Sequence, residues 1–289
     1  VAFRLIHTFR DRQTGLLPAI SLRDYVTYVV FFPSYTAGPI DRAERFQGDM
    51  IALPSVDLRA PPRYVDAGTR IGLGLLKKFV VADALATGVA LSASNALDVD
   101  STAWLWVMLY AYAIRLWLDF SGYTDIAIGL GLLAGVRLPE NFQRPYTRTN
   151  ITVFWQSWHM TLSGWARTYV FSPLSRWMLV RDRRPPGWAM VLTSQAATMA
   201  TIGLWHGVTW AFLAWGLWHA AGLFVHKQWS DRTRKWYRGL QAKPANARAW
   251  RAFGWFVTFH FVVAGWVFFL IPDLGDGVRV MGRLVGAGW

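Results

Sequence analysis

The sequence predicts an all-α protein that passes through a membrane several times, and three observations carry that prediction. The 289 residues are 54% hydrophobic and include 18 Trp, and with several long apolar runs this composition reads as multi-pass. Residues 188–226 contain no Asp, Glu, Lys or Arg, nearly twice the ~20 apolar residues that one span needs. The 30 Lys and Arg outnumber the 17 Asp and Glu, net +13. They lie in loops between apolar runs, as expected of cytoplasmic loops facing anionic lipid. No RNA- or DNA-binding motif competes with that reading. With no cysteine, disulfides, thiolate metal sites and a Cys nucleophile are excluded.

In chain order, residues 1–12 form an apolar-aromatic piece ending in charge, read as the tail of a span. Residue 1 is Val and no signal peptide precedes this run. The chain is therefore expected to be N-terminally truncated, with 1–289 forming one partial membrane-embedded domain. Tyr25 to Phe32 is apolar and stopped by Pro33, and Gly38-Pro39 sets a turn. The segment up to Pro62 reads as a loop or a surface-lying element. Arg70 to Ser92 places Lys77-Lys78 in an apolar pattern, which fits either an interfacial helix or a span with snorkelling lysines.

Residues 101–135 form a long apolar run containing Arg115, Asp119 and Asp125. Arg115 and Asp119 are four apart, so they are expected to be helix neighbours and to neutralise one another. Gly122, Gly129, Gly131 and Gly135 permit close helix packing. A polar connector, 137–150, leads to 151–174, where Trp155, His159 and Ser163 repeat at i, i+4, i+8 and are expected on one helix face. The basic loop 176–184 precedes the uncharged stretch. Segment 227–251 then carries eight Lys/Arg against Asp231, before a last apolar run, 252–271. With basic flanks on both sides, the uncharged stretch is expected to cross and return. The turn would fall at about Gly207, putting His206 away from the cytoplasm.

His206 sits in Gly203-Leu204-Trp205-His206-Gly207. An ionisable side chain at membrane depth is costly and is a functional-site hypothesis by default. The plainer alternative is an imidazole hydrogen-bonded to backbone in a helix bundle. The flanking glycines favour function, because they leave room for a substrate or another backbone to approach, and a neutral imidazole can act as a base. His159 is a second candidate, against a plain core role. His219 and His226 share a helix face at a spacing of seven, but a metal site lacks a third ligand there. His7 and His260 have no partner pattern. There is no phosphate-cradling glycine loop, Gly-x-Ser-x-Gly elbow or His-Glu-x-x-His, so ATP-driven transport, serine hydrolysis and zinc proteolysis lack support.

Several stretches, in this order, resemble one family. They are Phe32-Pro33 with Ala37-Gly38-Pro39-Ile40-Asp41-Arg42; Leu75-Leu76-Lys77-Lys78; Asp119-Phe120-Ser121-Gly122-Tyr123-Thr124-Asp125; Leu138-Pro139-Glu140-Asn141-Phe142; Trp158-His159-Met160-Thr161-Leu162-Ser163; and Gly203-Leu204-Trp205-His206-Gly207. Together they resemble the membrane-bound O-acyltransferases (MBOAT), in the bacterial branch that includes alginate O-acetylation and D-alanyl-lipoteichoic-acid transfer proteins. The resemblance implies tilted spans with re-entrant and interfacial helices in the bacterial cytoplasmic membrane. It implies transfer of an acyl group, acetyl foremost, from a cytoplasmic thioester to a hydroxyl of an extracytoplasmic polysaccharide or envelope polymer.

The same resemblance carries the catalytic role over to His206 and a position in the same tunnel to His159; Trp155, Ser163, Trp205, Asn141 and Asp119 are further tunnel candidates, Asp119 being expected foremost to hold helices. It implies no bound cofactor and no metal. The co-substrate would be acetyl-CoA or an acyl-carrier thioester. Implied partners are membrane lipid, a glycan acceptor, and an extracytoplasmic acyltransferase or acyl carrier protein. The chain departs from the family at Gln156-Ser157, Thr168 and Ser175-Arg176, which leaves acetyl and D-alanyl transfer both open. A proton-coupled transporter or flippase using intramembrane His and Asp is the reading from another class.

Overall fold

In the computed structural model, which describes residues 2–287, there are helices and connecting turns but no strand among the described residues. In order the helices are α1 (Ala2–Gln13), α2 (Leu22–Val30), α3 (Ala43–Ala52), α4 (Pro61–Leu75), α5 (Asp83–Gly88), α6 (Thr102–Leu133), α7 (Ile151–Trp155), α8 (Met160–Ala166), α9 (Ser172–Leu179), α10 (Gly187–His206), α11 (Trp210–Gln241), α12 (Pro244–Leu270) and α13 (Leu274–Leu284). A π-helical segment, Leu76–Ala82, joins α4 to α5. The all-α expectation holds. Among the described residues, α12 is the one helix long and apolar enough to cross a membrane by composition alone. Residue 1 of the first apolar piece lies outside the described residues.

The chain divides into two compact units. The first comprises Val1–Thr87, Ile114–Phe142 and Met160–Trp165. Its core gathers Leu17, Tyr28, Phe46, Ile128 and Val136. The segment read as a loop or surface element contains a real helix, α3, whose Phe46 is buried in that core. Gly74 of α4 and Gly122 of α6 meet backbone to backbone: a Cβ on either would lie 2.6–2.7 Å from the other's carbonyl oxygen. Gly129 makes the same kind of approach to Ala67. These are the close helix contacts that small residues permit.

The charges in this unit pair differently from the sequence expectation. Asp119 is bonded to Lys78 across the helices at 2.5 Å, not to Arg115 on its own helix. Asp125 holds both Arg70 and Lys77 at 2.6 Å, and Arg70 also pairs with Glu140. The physical reason is burial. Lys77 and Lys78 lie on the packed face of their segment, and a partly buried cation is stabilised by the nearest carboxylate. Both lysines are neutralised by carboxylates of α6, Lys77 by the buried Asp125 and Lys78 by the half-exposed Asp119.

The second unit comprises Gly88–Ala113, Gln143–His159 and Ala166–Trp289. Helices α10 and α11 form its main hairpin, joined by Gly207, Val208 and Thr209. The turn falls where the charge pattern placed it. Their close packing follows from two glycines: a Cβ at Gly203 would strike the Phe212 carbonyl, and one at Gly216 the Met199 carbonyl. Helix α12 lies along α11, with the Trp218 and Phe261 rings stacked at 4.7 Å and Trp218 Nε1 donating to the Phe261 carbonyl at 3.0 Å. Tyr146 ties the connector in, donating to the Ala113 carbonyl at 3.0 Å and accepting from Trp266 Nε1 at 3.1 Å. From α13, Arg283 donates to the Leu97 carbonyl at 2.8 Å and to that of Val99.

Candidate active site

His206 is the last residue of α10. Beyond it, Thr209 caps α11, its Oγ1 accepting from Phe212 N at 3.2 Å. This cap turns the chain at once, so His206 faces the start of the returning helix. Four aromatic rings surround its imidazole: Trp205 at 4.6 Å, Phe269 at 4.8 Å, Trp215 at 5.5 Å and Phe212 at 6.0 Å between centroids. The glycine beside it serves this packing, because a Cβ on Gly207 would lie 2.6 Å from the Phe212 ring. Of the two uses foreseen for those glycines, α11 itself takes the space.

His159 reaches the same place by a different device. Asn150 caps α7, its Oδ1 accepting from Val153 N at 2.9 Å. The helix ends after Trp155, and Ser157 N and Trp158 N both donate to the Phe154 carbonyl. His159 then adopts a left-handed backbone, φ +42°, and is buried. The expectation that Trp155, His159 and Ser163 continue along one helix face is therefore corrected. The helix is broken between Trp155 and Met160, and α8 begins anew. Periodicity could not reveal this, since neither glycine nor proline marks the reversal.

The break brings His159 to Trp205, ring to ring at 6.2 Å, so one indole lies against both imidazoles. Trp155 packs edge-on to Trp215 at 5.8 Å, the ring that also faces His206. Four of the seven predicted residues, His206, His159, Trp155 and Trp205, thus belong to one aromatic-lined cluster. Asn141, Ser163 and Asp119 belong to the first unit. There Asn141 is buried, and its Oδ1 accepts from Thr161 Oγ1 at 2.6 Å while its carbonyl accepts from Met160 N at 2.9 Å, which fastens the start of α8. Ser163 lies half-buried on α8, and Asp119 is the partner of Lys78.

Sequence reasoning missed Trp215, Phe269 and the role of His219. His219 is fully buried between Trp155 and Trp215, each 5.1 Å away, and neither ring nitrogen has a hydrogen-bond partner among the described residues. The four-residue spacing of Trp215 and His219 was a readable signal for a shared face; nothing local announces Phe269. His226 instead bonds Thr152 Oγ1 through Nδ1 at 3.0 Å. No group of three or more His, Asp or Glu suited to a metal ion occurs among the described residues. Chemically, the cluster offers three imidazoles among aromatic rings, of which His159 and His206 share the Trp205 indole, an arrangement suited to proton transfer and to orienting a polar reactant.

A helical chain with paired imidazoles at a helix turn and a helix break defines a class before it defines a protein, and comparison with known proteins identifies that class. The membrane-bound O-acyltransferase family profile matches residues 5–270. The chain belongs to that family. It is 34% identical, over 99% of its length, to a Pseudomonas fluorescens protein named a probable alginate O-acetylase. It is 33% identical, over 91%, to the peptidoglycan O-acetyltransferase of Helicobacter pylori. It is 30% identical, over 93%, to the teichoic acid D-alanyltransferase of Streptococcus thermophilus. It covers 52%, 46% and 66% of those three proteins, so the chain spans about half the length of the first two.

Proposed function

We propose that this chain carries the catalytic part of a multi-pass O-acyltransferase of the bacterial cytoplasmic membrane. It moves an acyl group, acetyl by preference, from a cytoplasmic thioester to a hydroxyl of an extracytoplasmic polysaccharide or envelope polymer. The observation that carries the reading is the convergence of His206 and His159 on Trp205, one at a helix end and the other at a left-handed break. Strained non-glycine backbone of that kind clusters at functional sites.

In the proposed step His206 accepts the hydroxyl proton as the acceptor oxygen bonds to the thioester carbonyl carbon. The carbon–sulfur bond breaks, and the proton passes from His206 to the departing thiolate. His159 orients a reactant or stabilises the charge developing on the carbonyl oxygen. A positioned base contributes ~10²–10⁴ in rate, and holding both reactants together supplies the orientation term. No acyl-enzyme is needed. The names of the relatives favour this reading over a transporter.

The test uses membranes from cells producing the protein, supplied with radiolabelled acetyl-CoA, with label followed into extracted envelope polymer. Label that disappears in His206→Ala supports acetyl transfer. Label transferred equally by that variant removes His206 from the chemistry. Label that appears only from a D-alanyl carrier-protein thioester redirects the donor and leaves the base in place.

A further inference from the structure

A second feature of the α11–α12 pair lies well away from His206. A cavity of about 620 Å³ opens between these helices and the residues leading into α7. Its first lining residue on α11, Ala221, is ~16 Å along the helix from Trp210 at ~1.5 Å per residue. The cavity is polarised along its length. Toward one end the lining is mainly apolar, with Ala221, Val225, Val257 and Phe261 beside His226 and Thr258. At the other end stand Trp229 and Trp250, with rings stacked at 6.4 Å, beside Arg234 and Arg251.

Neither arginine has an ion-pair partner among the described residues, and no carboxylate lines the cavity. Asp231, the one acidic residue of segment 227–251, pairs with Lys227. Eight Lys/Arg interleaved with Trp229, Trp236, Tyr237 and Trp250 is the composition of a membrane interface, where aromatic rings sit at headgroup level and cations meet anionic lipid.

We propose that this cavity is a binding site for an anionic phospholipid. The phosphate-bearing head lies between Arg234 and Arg251, and the upper part of an acyl chain runs past Val225 and Val257 toward Phe261. The charge pattern selects the head and the gradient sets the orientation. Glycines at the two contact points keep the helices at this spacing: Gly222 abuts the Phe261 ring and Gly254 the Thr149 carbonyl. The site is independent of the acyl-transfer chemistry and is read by binding alone.

The experiment is native mass spectrometry of the detergent-purified protein with phosphatidylglycerol, with phosphatidylcholine of identical chains, and with coenzyme A. We expect retention of phosphatidylglycerol over phosphatidylcholine by about thirtyfold, the fold-change that two interfacial cations give at roughly 1 kcal/mol each. Arg234→Glu with Arg251→Glu should abolish the preference. Arg238→Glu, on the same helix and outside the lining, should keep it. If the double variant fails gel filtration, Arg234→Gln and Arg251→Gln taken singly should each lower the preference. Equal retention of the two lipids, a preference indifferent to these arginines, or displacement of phosphatidylglycerol by coenzyme A would each overturn the proposal, the last by assigning the cavity to a thioester donor.

Discussion

His159 holds its imidazole on a backbone at φ +42°, a region that costs a non-glycine residue about 1–3 kcal/mol. Such strain persists only when the surroundings over-determine it, and here the end of α7, the start of α8 and the Trp205 contact do so. His159→Gly should therefore leave thermal stability in detergent equal or higher and still lose transfer. His159→Val, β-branched and poorly suited to positive φ, should melt lower. Full activity in the glycine variant would show that the imidazole takes no part. His206→Ala should lower transfer by ~10²–10⁴ with membrane abundance unchanged. Both histidines stand out in the sequence because each sits in a short, distinctive motif, and the fold brings both against Trp205. The reversal at His159 was not, because histidine gives no signal of the kind that Gly or Asn provides at a left-handed position. The aromatic cage was illegible for another reason: Phe269 meets His206 only through the packing of α12.

At the scale of elements, the apolar runs translated well. The uncharged stretch became α10 and the first half of α11 with its turn at Gly207, α11 running on through basic residues to Gln241, and the run 101–135 became the single helix α6. Pairings between elements were harder to read. Local spacing put Arg115 beside Asp119, yet the carboxylate chose Lys78 on another helix, a choice made by tertiary burial. The two aspartate positions should differ in weight from a surface pair. Asp125→Ala leaves Lys77 without its carboxylate and Arg70 with Glu140 alone, and should destabilise more than Asp231→Ala, whose exposed pair with Lys227 is worth ~0–1 kcal/mol. Thermal melts of the two variants in one detergent decide this, and equal shifts would mean that the Asp125 network does not hold α4 to α6. Gly216→Leu should be worse than either, since its side chain would enter the Met199 carbonyl and force α10 from α11. Overpacking of that kind typically costs 1–3 kcal/mol.

For the whole molecule, the proposed function requires His206 to lie across the membrane from the basic flanks of its hairpin. Length permits this, while by length and composition together α12 is the one helix among the described residues that qualifies as a span. Helix α10 has 20 residues, ~30 Å at ~1.5 Å per residue, the thickness of a bilayer core. Helix α11 has 32 residues, ~48 Å, long enough to return and carry its basic end beyond the core. Under the proposed function, the positive-inside bias would place 176–184 and 227–251 together in the cytoplasm. The absence of cysteine from these 289 residues lets single cysteines placed here report the arrangement in intact cells with a membrane-impermeant maleimide, against the unsubstituted protein as blank. Arg183→Cys and Lys235→Cys, both exposed, should stay unlabelled until the membrane is opened. Val208→Cys, 89% exposed at the turn beside His206, should label from outside. If Arg183→Cys and Lys235→Cys labelled from opposite sides, the stretch would cross only once. His206 would then have no route to an extracytoplasmic hydroxyl through this hairpin, and the acceptor side of the proposed reaction would have to be assigned to the cytoplasm.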